Sequence, residues 1–158
     1  MNASLSTEIS IRQAELILKL YELRRETTMR EARSYIGGEF DPKSAEELVA
    51  IVTGGGKHGA FVLQVYGYWD MVAAFVESGA LDARLVYNTC QEMYFQYAKI
   101  QPYLADFRKM MNLPEWMNGI ERLVEESETG RSRLDIMKKS LAALAAARAA
   151  SNSATPAT

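Results

Sequence analysis

Val86, Cys90, Met93, Tyr97, Ile100, Leu104, Phe107 and Met111 follow one another in alternating steps of four and three. Steps that average about 3.5 residues keep all eight side chains on one face of a helix, the spacing of helices packed nearly parallel to a partner. Val62, Val65, Trp69, Val72 and Val76 repeat the alternation upstream. Between the two runs lies Ser78-Gly79-Ala80-Leu81-Asp82. Glycine accepts the left-handed conformation that ends a helix, and aspartate can take the free amides that begin the next. The pattern predicts an all-α fold, a bundle of five to six helices built on a long central helical hairpin. The two-residue alternation of strands is absent from the sequence.

The remaining elements are placed by their caps. A first helix is expected from near Ser6 or Ser10 to Ile36, ended by Gly37-Gly38 and carrying Leu16, Leu20 and Leu23 on one stripe. Asp41-Pro42 reads as a second start, because proline at the first helical position loses no hydrogen bond. A short helix to Val52 then meets the loop Thr53 to Gly59. The third helix is expected over 60–77 and the fourth from Asp82 toward Met111, with a kink at Pro102. A fifth covers about 114–127 and a last about 132–149. Residues 1–150 form one domain, and the small polar tail 151–158 is expected to be disordered.

Bulk properties narrow the classes of function. The 158 residues carry 18 basic and 20 acidic side chains, well mixed, which argues against a nucleic-acid binder with a basic face. Arg24, Arg25, Arg30 and Arg33 are interleaved with Glu22, Glu26 and Glu31, which reads as a solvated helix face. The single cysteine excludes an internal disulfide, and the first residues lack the basic start and apolar run of a signal peptide. No uninterrupted apolar run reaches the roughly 18 residues of a membrane helix. A cytoplasmic setting with no membrane role is the expectation.

The glycine run is the first candidate for chemistry. Backbone amides at Gly55 and Gly56, with Lys57 and His58, are the candidate anion site. A phosphate loop would need glycine at position 51, where the chain has Ile51, and Ser or Thr after the lysine, where it has His58. A flexible connector is the competing reading. His58 is the only histidine, so neither a multi-histidine zinc site nor the paired Glu-x-x-His motifs of a di-iron bundle can form. No metal, cofactor or catalytic set is assigned, although His58 with a carboxylate is kept as an alternative. Cys90 falls on the apolar seam and reads as a small core residue. Glu92 flanks the same seam, with Arg84, Lys99 or Arg108 as candidate partners.

Aromatic residues concentrate between Phe61 and Phe107. Tyr66, Trp69, Tyr94 and Tyr97 are the candidate lining of a small-ligand pocket; the alternative is a packed core with tyrosine hydroxyls bonded at its edge. Leu134, Met137, Leu141 and Leu144 form a stripe on the last helix and are the candidate interface.

The run Tyr66 to Trp69, then Phe75-Val76-Glu77-Ser78-Gly79-Ala80-Leu81-Asp82, then Leu85-Val86-Tyr87 and Pro102-Tyr103-Leu104, resembles a bacterial family of small helical proteins classed as a domain of unknown function. The upstream Tyr21-Glu22-Leu23-Arg24-Arg25 belongs to the likeness, which covers about residues 20–108. The resemblance implies an all-α fold, assigns no activity, and supplies no catalytic residue. Many such proteins carry an N-terminal membrane helix, a feature this sequence does not show. The functional expectation is a cytoplasmic protein–protein interaction or regulatory module without catalytic activity, self-associating as a homodimer. A binder of small apolar or aromatic ligands is the first alternative.

Overall fold

The computed structural model describes residues 3–153, and the fold is all-helical. Among the described residues the helices are α1 (Ala3–Arg25), α2 (Thr27–Gly38), α3 (Ala45–Thr53), α4 (Gly56–Glu77), α5 (Ala83–Thr89), α6 (Gln91–Ile100), α7 (Leu104–Met111), α8 (Asn118–Glu125) and α9 (Glu128–Ser153). Within the expected tail 151–158, residues 151–153 continue α9 and 154–158 lie outside the described residues.

The core forms around α4, which packs against α2, α3 and α8, while α6 and α8 both pack on α9. Val62, Val65, Tyr66, Trp69, Val72 and Ala73 of α4 are buried on the faces it presents to those neighbours. By length and composition α4 could cross a membrane. Half of its most apolar stretch is buried in the protein's own core, and Leu63 remains exposed. The predicted seam of α5 to α7 is buried from Val86 to Phe107, and Met111 packs against its edge.

Helix boundaries depart from expectation where tertiary contacts intervene. The expected first helix is two, broken at Glu26, whose backbone is extended (φ −50°, ψ 142°). The Arg33 guanidinium donates to the Arg24 carbonyl at 3.0 Å and so satisfies an acceptor that the break sets free. The expected helix from Asp82 breaks at Cys90 (φ −112°, ψ 53°), with neither glycine nor proline there. Pro102 sits in a 3-10 turn, Gln101–Tyr103, which joins α6 to α7. Asp82 does cap α5, accepting from the Arg84 amide at 2.7 Å. Asp41-Pro42 does not start a helix: Ser44 caps α3 instead and accepts from the Glu47 amide.

Two helix ends are closed from a distance. Lys99 of α6 donates to the carbonyls of Ile36 at 2.5 Å and Phe40 at 2.8 Å, at the C-terminal end of α2. Asp70 of α4 accepts from the Ile120 amide in the first turn of α8. Gly119 permits that approach, since a Cβ there would lie 2.9 Å from the Asp70 carboxylate.

Candidate functional site

Residues 6–12 of α1 are exposed, and packing on the body begins at Gln13. From there Leu16, Ile17, Leu20 and Arg24 face inward. A second apolar line, Ile11, Ala14, Leu18 and Tyr21, runs in three-four-three steps along another face of the same helix and is exposed. Among the described residues ten large apolar side chains are exposed, and five of them, Ile9, Ile11, Leu18, Tyr21 and Leu23, lie on α1. The line ends at an apolar groove of about 380 Å³ between α1, Tyr68 and the α5–α6 break at Thr89 and Cys90.

Beneath the groove lies a charge cluster. Glu92 accepts from the Arg33 Nε at 2.8 Å, from its Nη2 at 2.5 Å, from Arg24, and from the Gln96 amide at 2.6 Å. Gln96, 1% exposed, in turn accepts from the Trp69 indole N–H. The Arg24 guanidinium lies 5.2 Å from the Trp69 ring centre, within cation–π range. Its Nε is buried without a hydrogen-bond partner. One carboxylate thus ties α1 and α2 to α6, and through Gln96 to α4. Burial works against ionisation of Glu92, but hydrogen bonds from Arg33 and the charges of both arginines outweigh it and hold the carboxyl below its usual range. A carboxylate held ionised by two guanidiniums is a clamp and a poor general acid or base at neutral pH.

This arrangement corrects two sequence expectations. Arg24 and Arg33 turn inward rather than forming a solvated face. The candidate partners of Glu92 are engaged elsewhere: Arg84 with Asp82, Lys99 with the end of α2, and Arg108 with Glu121 and the Trp116 carbonyl. Charge balance along the sequence could not show that the break at Glu26 swings both arginines onto one acid.

Tyr66, Trp69, Tyr94 and Tyr97 are buried side chains of the core. Tyr66 donates to the Gln96 carbonyl and Tyr97 to Glu125, so these two rings are packed and bonded rather than set around a cavity. Tyr68 and Tyr87 likewise donate to the carbonyls of Leu20 and Leu123. Gly55 and Gly56 adopt left-handed backbone (φ 76° and 75°), but Gly56 already begins α4, so the loop is shorter than expected. Lys57 pairs with Glu31, and His58 stacks on Tyr35 with ring centres 4.2 Å apart. Among the described residues no carboxylate hydrogen-bonds His58, and no group of three or more His, Cys, Asp or Glu is placed to hold a metal ion. On α9, Leu134 is buried and Met137 and Leu141 pack against the chain's own core, leaving Leu144 exposed. Most of that stripe is therefore spent within the protomer.

The fold and the clamp define a small all-helical domain whose first helix is packed on the body from Gln13 onward and exposed over residues 6–12. The chain belongs to the DUF4760 family, a domain of unknown function, whose model matches residues 9–127. No curated protein and no solved structure matches it.

Proposed function

We propose that this protein is a non-catalytic interaction module that self-associates through α1, pairing as an antiparallel homodimer. The helical segments group into six rods: α1 with α2, α3, α4, α5 through α7, α8, and α9. In this reading α4 and the α5–α7 rod are a central hairpin that carries the clamp, and α1 is the element presented to a partner. The observation that carries the proposal is the exposed line Ile11, Ala14, Leu18 and Tyr21 on a helix whose other face is already anchored.

The choice of a second copy as partner comes from charge order. One flank of the line reads Glu8, Arg12, Glu15, Lys19, acid and base alternating. An antiparallel pair sets the same flank of each helix against itself. A register that places Glu8 opposite Lys19 also places Arg12 opposite Glu15. A helix carrying both signs in nearly equal number is suited to its own copy better than to an anionic membrane, which favours a basic polar face. Closed two-fold pairing is also the commonest oligomeric arrangement.

Sedimentation equilibrium in the micromolar range tests this. Wild type is expected to dimerise, and Leu18→Glu to be monomeric with an unchanged circular dichroism spectrum. Glu15→Arg should weaken the dimer, and adding Arg12→Glu to it should restore pairing. A wild type that stays monomeric to about 100 μM, or a Leu18→Glu variant that dimerises as well as wild type, rejects the proposal.

A further inference from the structure

A second groove, of about 450 Å³, lies on a different part of the molecule, under the C-terminal half of α9. Its floor is Phe95, Ala98 and Lys99 of α6, its sides are the end of α2 and residues 41–43, and its roof is Leu141, Leu144 and Arg148. The volume falls within the roughly 300–1,000 Å³ typical of small-molecule sites, and the lining mixes apolar walls with a few polar groups in the manner of such sites.

The charges converge with one sign in excess. Lys99 is fixed: two of its three ammonium protons go to the carbonyls of Ile36 and Phe40, and the ammonium stands 5.0 Å from the Phe95 ring centre. One proton remains to be donated. Lys43 holds Asp41 at 2.5 Å, while its backbone amide bonds Glu47. Arg148 also lines the groove and has no hydrogen-bond or ion-pair partner among the described residues. Among the lining residues Lys43 is already paired with Asp41, with Glu47 beside it on the Lys43 amide, which leaves Lys99 and Arg148 as the cations without a carboxylate. Burial lowers the Lys99 pKa; Asp41 opposes that shift, and the charges of Arg148 and Lys43 add to it. A structural role at the end of α2 accounts for Lys99, while Arg148, an exposed side chain of α9, lines the same groove.

We propose that this groove binds a soluble anionic amphiphile, its acidic head between Lys99 and Arg148 and its alkyl or aryl body against Phe95, Leu141 and Leu144. The anion supplies the charge that the cluster lacks, and the body covers the apolar wall. This surface is separate from the exposed line of α1, so the inference stands or falls independently of dimerisation.

Isothermal titration with decanoate below its micellar concentration tests it, with decyltrimethylammonium as the charge control. A second arm measures co-sedimentation with phosphatidylglycerol vesicles and separates a free amphiphile from a bilayer surface. Arg148→Glu and Lys43→Glu change exposed side chains, and circular dichroism checks that both variants fold. Saturable binding of one decanoate per chain is expected, at least tenfold weaker in Arg148→Glu and unchanged in Leu18→Glu, with no binding of the cation. Absence of decanoate binding to about 1 mM, a loss of less than tenfold in Arg148→Glu, equal binding of the cation, or binding to vesicles alone would overturn the proposal.

Discussion

Replacing Glu92 with alanine isolates the charge cluster better than any other single change. The carboxylate receives hydrogen bonds from two guanidiniums and one amide, and its own side chain is only 23% exposed. Its removal leaves Arg24 and Arg33 facing each other with side chains 11% and 28% exposed. It also strips the buried Gln96 amide of its acceptor. Removing one partner of a buried pair costs about 3–5 kcal/mol. The partial exposure of Arg33 and Glu92 lets water recover some of this, so the lower end, about 3 kcal/mol, is expected. For a chain of this length that is a fall in Tm of about 6–12 °C. Arg33→Met leaves the Arg24–Glu92 pair intact and should cost about 1.5 kcal/mol. The double variant should be less destabilised than the sum of its parts by about 1 kcal/mol, because both substitutions remove the same contact. Urea melts of the four proteins supply the cycle. A Glu92→Ala cost below about 1 kcal/mol, or strict additivity, would mean that the cluster does not fasten α1 and α2 to α6.

Other expectations follow from the same geometry. The Glu92 pKa is depressed in the folded state, so its stabilisation is present above the ordinary carboxyl value of 4.5 and is lost as pH falls through the lower folded value. The Tm gap between wild type and Glu92→Gln should therefore hold at neutral pH and shrink below that value; a gap constant down to about pH 3 would refute it. Trp69, 1% exposed and edge-on to Tyr68 at 4.8 Å, should cost about 3–5 kcal/mol as Trp69→Ala, read by denaturant melts. Tyr97→Phe removes only the hydroxyl that donates to Glu125 and should cost about 1 kcal/mol by the same assay. Burial raises the Cys90 thiol above its usual pKa, so alkylation by iodoacetamide should be slow in the native protein and complete once urea unfolds it.

What the sequence made legible is what depends on periodicity. The seam from Val86 to Phe107 is buried as its spacing predicts, and Gly79 (φ 77°) with Asp82 makes the turn that their residue types dictate. The breaks at Glu26 and Cys90 were not legible, because no glycine or proline marks them. Each is compensated by a contact from elsewhere or nearby: Arg33 on the Arg24 carbonyl, and the Gln91 amide on the Tyr87 carbonyl. The apolar phase continues through Cys90, which hides the interruption from any pattern count. The α9 stripe was visible, but a stripe has no label for the partner it meets, and three of its four residues meet the protomer's own core. The grooves were not legible at all. Each gathers residues from three or more helices, and only packing decides that Arg148 and Lys99 line the same groove.

The ends of α2 and α8 are finished by side chains borrowed from α6 and α4. Neither terminus is complete within its own stretch of chain, so neither can open and close on its own schedule. Local fraying at these points would leave a partly buried ammonium or carboxylate without its partner. The amides there should exchange with solvent only when the whole molecule opens, while those in the first turns of α1 exchange freely. Peptides cut at the loops should hold these turns poorly, yet mixing a fragment that ends after α3 with one that begins at α4 supplies the missing caps. The chain is thus wired for fragment complementation, its helices interdependent at their tips as well as along their packed faces.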